Sequence, residues 1–231
     1  MPQTLLFLII LLFIQSLTIF FLSRKNFNNF FYLFQRFFKN KKTVYALVSL
    51  LFLPGTIIHE FSHFFAAMIL FLPVKDIKIF PEFEDRQIKL GHVLYVKKDF
   101  LRGILVGIAP FFGALLFFFG LSFFDLFPNN NLGINIALIY LIFTVSSVMF
   151  SSKQDLVDIV YLIPLIIFLS IIIYLFQPFL PSFNIPHSNK IFTGLEFFLI
   201  NVNYYLFLSI IIHVFLTIIF WGLNHFRIHF L

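Results

Sequence analysis

Residues 59–63 read HEFSH. On an α-helix, side chains four apart lie on one face about a turn from each other. His59 and His63 can therefore reach one metal ion together. Glu60 falls on the flank of that face, placed to hold a water rather than to bind the ion. This HExxH spacing is the pattern of zinc peptidases, with two histidine ligands and a glutamate as base. The surrounding stretch, PGTIIHEFSHFFAAM, is otherwise almost wholly apolar. Ionisable side chains inside a membrane span are costly and mark function. His59, Glu60 and His63 are accordingly read as chemistry rather than packing, with Zn2+ as the cofactor.

Two histidines leave a catalytic zinc one protein ligand short. Asp155, in FSSKQDLVDIV, opens a later apolar run. It also sits three residues after Ser152, the spacing of a helix capping box. Asp158, one turn further on, is the other candidate. Asp125 and Glu196 fall near the outer ends of their runs, where no other motif points. His225 and His229 share the i, i+4 spacing but flank Arg227, where cations suit a helix C-terminus and lipid headgroups. His213 lies mid-span, either as a core hydrogen-bonder or behind a ligand. His92 lies in a strand-like stretch and is read as packing.

The elements that must position these groups are membrane helices. Of 231 residues, 61% are hydrophobic and only 11% charged, against about 25% charged in a soluble domain. Forty residues are Phe, more apolar surface than a soluble core needs. The apolar runs are long and continuous, which disfavours a β-barrel and favours helices, whose backbones are satisfied within hydrocarbon. With no cysteine, disulfides, thiolate metal sites and cysteine nucleophiles are excluded. The net charge of +6 sits in short connecting segments and reads as topology and lipid contact, not nucleic-acid binding.

A span takes about 20 residues, which predicts helices near 5–22, 44–72, 102–125, 133–150, 156–177 and 197–222. The first lacks a basic start and a cleavage site, so it reads as a retained anchor. The basic stretch 23–43 contains FNNFFYLFQRFF, read as an interfacial amphipathic segment. Pro54 and Gly55 interrupt 44–72, which either crosses once with a kink or turns back. Between 73 and 100, RQIKLGHVLYV alternates with period two, and with DIKIF it predicts a short amphipathic β-hairpin. The fold class is thus an all-α polytopic membrane protein of about six transmembrane helices, with a hairpin after the HExxH helix. Its parts are an anchor and basic segment (1–43), a core (44–177), and an outer loop with a last transmembrane helix (178–231).

Loop 126–132 has no Lys or Arg, which places it outside and 73–100 in the cytoplasm. The segment 23–43, with six cations and no acid, also favours the cytoplasm. A single crossing by 44–72 puts the two on opposite sides; a turn at Pro54–Gly55 would not. From His63 to Leu72 is about 14 Å of helix, within reach of water from the 73–100 side.

Over roughly 44–177 the chain resembles the site-2 protease family of intramembrane zinc metalloproteases. HEFSH in an apolar helix, the short β segment at 76–96, GIAPFFGALL at 107–116 and a later span opening with Asp carry the resemblance. It implies a minimal form without a PDZ-like insertion. It also implies His59, His63 and Asp155 as zinc ligands and Glu60 as the residue that activates water. The family's Asn-Pro element and the Gly after its Asp are missing from SSKQDLVD, so Asp158 stays open beside Asp155. The expected activity is hydrolysis of peptide bonds in or near transmembrane segments of membrane proteins, by a multi-pass protein of the cell membrane. The exposed edge of the hairpin is expected to pair with an unwound substrate. The alternatives are an inactive relative that binds membrane proteins, and a transporter handling ions or protons.

Overall fold

The computed structural model describes residues 3–78, 82–84, 87–89, 91–96, 98–150 and 188–228, without the side chains of 82–84, 87–89, 188–191 and 224–228. Among the described residues are five helices: α1 (Gln3–Phe37), α2 (Lys41–Ile69), α3 (Phe100–Phe123), α4 (Leu132–Val148) and α5 (Ser188–Ile228). Between α2 and α3 run β1 (Val74–Lys78), β2 (Glu82–Glu84), β3 (Gln87–Lys89) and β4 (His92–Tyr95). Among the described residues, four helices are long and apolar enough to cross a membrane: α1, α2, α3 and 192–223 of α5. α4 is a shorter apolar helix. The fifth expected span, 156–177, lies outside the described residues. The architecture is that of a mostly helical protein compatible with a membrane.

α1 does not stop at residue 22. It continues through the basic, Asn-rich stretch to Phe37 as one helix of 35 residues. The reason is tertiary: Asn26, fully buried, finds polar partners on α5. Its Nδ2 donates to the His213 ring Nδ1 (3.1 Å) and to the His213 carbonyl (2.9 Å), and its Oδ1 accepts from Thr217 (2.9 Å). The other ring nitrogen of His213 donates to Ser146 of α4 (3.2 Å). Both ring nitrogens are thus engaged, and His213 is a core hydrogen-bonder tying three helices together. Such polar links are a normal means of helix association where lipid removes the hydrophobic drive.

α2 is continuous through Pro54, so the re-entrant alternative is not the one adopted. The two basic segments lie at opposite ends of a helix about 43 Å long. Pro54 has no N–H for a carbonyl one turn back, and Tyr140 braces the backbone there by donating to the Leu51 carbonyl (2.8 Å). Gly55 lets α4 approach: a Cβ at this position would lie 2.3 Å from the Thr144 carbonyl oxygen and 2.8 Å from Val148. Gly55→Ala is therefore expected to lower stability by about 1–3 kcal/mol, because a main-chain atom cannot swing aside. Gly120, with nothing within 4 Å, is the control. Gly120→Ala should be neutral or stabilising by up to about 1 kcal/mol. Thermal unfolding of both variants in one detergent checks this, and equal midpoints would refute the close approach.

The core gathers where α3, α4 and α5 meet: Leu115 and Phe118, Ile142 and Val145, Tyr205 and Leu206, with Ile19 from α1. A second cluster joins α2 to α4 through Val48, Phe52, Phe143 and Val148, roofed by Phe27, Phe30 and Phe31 of α1. α2 ends in a Schellman turn. Phe71 takes a left-handed φ of 55°, Leu72 N–H bonds Ala67 O, and Phe71 N–H bonds Met68 O. Buried Leu72 then packs on Ala67 and Val106. Arg102 at the start of α3 donates to the Leu70 carbonyl (3.2 Å), suiting the negative end of α2. The helix therefore ends six residues after His63, about 9 Å away rather than 14 Å. β1 pairs antiparallel with β4, Ile77 opposite Val93 and Lys78 opposite His92. β2 pairs antiparallel with β3. This is the expected hairpin.

Candidate metal centre on α2

His59 and Glu60 are buried, and His63 is half-buried. The two imidazoles stand edge to face, centroids 4.8 Å apart, with Nε2 of His63 3.2 Å from Nε2 of His59. Two nitrogens each about 2.0–2.1 Å from one tetrahedral ion are about 3.3–3.4 Å apart. The pair is therefore spaced as two ligands of a single zinc would be.

His63 is held in the tautomer this requires. Its Nδ1–H donates to the Val106 carbonyl on α3 (2.8 Å), which leaves the Nε2 lone pair directed toward His59. In a regular helix Val106 O would accept from the N–H of residue 110. That residue is Pro110, which has none. The proline thus frees a carbonyl inside an apolar helix, and the histidine takes it. Metal-binding histidines commonly donate their second N–H to a carbonyl in this way, which fixes the ring and raises its basicity.

Close backbone approach builds the remaining walls. A Cβ at Gly113 of α3 would lie 1.9 Å from Ser62 Oγ, so α3 lies tight against the HExxH turn. Ser62 itself turns back onto the Ile58 carbonyl (2.7 Å). A Cβ at Gly91, just before β4, would lie 2.8 Å from Glu60 Cγ, 3.0 Å from its Oε1 and 3.0 Å from Lys78 O. The ribbon main chain is therefore laid against the Glu60 side chain. One side of the site is α3, the other the β-ribbon.

No family model, curated protein or solved structure matches the chain.

The other candidate residues fall as follows. Asp155 and Asp158 lie outside the described residues, as does His229; His225 is on α5 without a described side chain. Among the described residues no group of three His, Cys, Asp or Glu side chains converges to hold a metal. Asp125 occupies the left-handed position after α3, φ 48°. Glu196 accepts a hydrogen bond from Thr4. His92 faces the Asp76 carboxylate across the ribbon at 4.0 Å. Val106, Pro110 and Gly91 were not singled out by sequence reasoning. Pro110 carried a signal, since a proline inside a helix orphans a carbonyl one turn earlier. So did Gly91, since a glycine in a strand pattern marks close backbone approach.

Proposed function

We propose that the chain is an intramembrane zinc endopeptidase that hydrolyses peptide bonds in or near transmembrane segments of membrane proteins, working in the cell membrane. The observation carrying this reading is the convergence of two Nε2 atoms at 3.2 Å, one of them oriented by a proline-freed carbonyl. His59 and His63 would hold the ion, with Asp155 (or Asp158) as third ligand. When bound, zinc would acidify water and polarise a scissile carbonyl. Glu60 takes a proton from the attacking water and passes it to the leaving amine. Its burial against the ribbon favours that transfer by excluding bulk solvent. A helical substrate must unwind before its peptide bond fits such a site. β1 and β4 pair with each other in a two-stranded ribbon, and an outer edge can take up an unwound segment by main-chain hydrogen bonds.

Zinc content of the purified full-length protein tests the metal reading. One zinc per chain is expected in the wild type, and loss of it in His59→Ala. Absence of zinc from the wild type after reconstitution with the ion would overturn the proposal.

A further inference from the structure

At one end of the α1–α5 seam lies a cavity of about 440 Å³, far in sequence from HEFSH. α1 contributes Asn29, Tyr32, Gln35 and Arg36 to its wall, and α5 contributes Phe220 and Leu223. The volume falls in the range of small-ligand sites, about 300–1,000 Å³. One wall is polar and cationic, the other apolar.

Its depth is marked twice. Phe220 and Leu223 close the apolar stretch 192–223 of α5. Trp221 between them is 67% exposed, and Tyr32 on the opposite helix is 62% exposed. Exposed Trp and Tyr at the end of an apolar span belong to the membrane–water interface. Arg36 belongs to a basic segment: 23–43 carries Arg24, Lys25, Arg36, Lys39, Lys41 and Lys42 and no acid. The same turns of α5 also expose Ile218 and Ile219, an outer surface suited to hydrocarbon.

We propose that this cavity binds an anionic glycerophospholipid. Arg36 takes the phosphate, since a guanidinium fork matches two phosphate oxygens. Asn29 and Gln35 donate to the remaining headgroup oxygens, and an acyl chain lies along Phe220 and Leu223. The apolar wall is what selects a lipid over a soluble phosphate ester, which would leave that wall uncovered. The site stands independently of the zinc reading.

Trp221 is the single tryptophan of the chain and follows the lining residue Phe220 on the same turn of α5, close enough for a brominated lipid held there to quench it. The full-length protein is reconstituted in phosphatidylcholine vesicles carrying an equal small fraction of brominated phosphatidylglycerol or brominated phosphatidylcholine. Brominated phosphatidylglycerol should quench Trp221 the more strongly. Arg36→Gln should reduce that preference about tenfold, the loss of a charged hydrogen-bonded contact rather than of surface charge alone, and Asn29→Ala should reduce it in the same direction. Lys39→Gln removes an equal charge from the same segment and should leave most of the preference. Soluble glycerol phosphate should leave the quenching unchanged. Equal quenching by the two lipids overturns the proposal. So does an equal effect of Arg36→Gln and Lys39→Gln, which would reduce the preference to bulk surface charge. Relief of quenching by glycerol phosphate would assign the site to a soluble phosphate instead.

Discussion

Glu60→Gln is expected to keep one zinc per chain and to lose cleavage by about 10²–10⁴-fold, the usual contribution of a positioned general base. The amide preserves the shape that fits against Gly91 but cannot accept a proton. Glu60 flanks the histidine pair rather than joining it, so metal content should not fall with activity. Metal analysis, together with cleavage of a co-reconstituted single-span substrate, reads both quantities from one preparation. A variant that cuts at the wild-type rate would sink the mechanism and leave HEFSH as a binding or packing element. A variant that loses zinc as well would move Glu60 from base to ligand.

Pro110→Ala is expected to change stability and metal affinity in opposite directions. Proline in a helix interior costs about 3 kcal/mol relative to alanine, so the substitution should hold or raise the thermal midpoint of the metal-free protein. It also restores an N–H that competes with His63 for the Val106 carbonyl, where the ring now donates at 2.8 Å. Loss of such a support lowers metal affinity by about 10–100-fold. The lower end, about tenfold, is expected here, since a carbonyl can accept twice. Zinc affinity by competition with a chelator, and unfolding with and without zinc, separate the two effects. Unchanged affinity would show that the His63–Val106 bond does not tune the site.

The same contrast separates what was legible in the sequence from what was not. The register of HEFSH, the apolar runs and the period-two stretch are local patterns. Each is set by the repeat of a helix or strand, so the histidine face, the apolar helices near 5–22, 44–72, 102–125, 133–150 and 197–222, and the hairpin followed from spacing alone. The extent of α1 did not follow. Its stretch 23–37 is rich in polar and basic residues, and its helix is anchored by long-range contacts: Asn26 meets His213 and Thr217 on α5, and Phe27, Phe30 and Phe31 pack on the α2–α4 cluster. Spacing leaves the course of 44–72 open between a single kinked crossing, the reading preferred, and a turn at Pro54 that would reconcile the basic segments; the continuous α2, with Gly55 packed on Thr144, agrees with the first.

HEFSH by itself determined which atoms face one another on α2: side chains four apart share a helical face whatever surrounds them. Only the tertiary structure decided that His63 presents Nε2 rather than Nδ1, because the acceptor that fixes its tautomer lies 43 residues away on α3. Only it laid Gly91 against Glu60, because a strand approaches a side chain closely where no Cβ intervenes. The ligand face is a property of helical periodicity. The orientation of its rings and the enclosure of its base come from helix crossing and backbone approach, which no local spacing encodes.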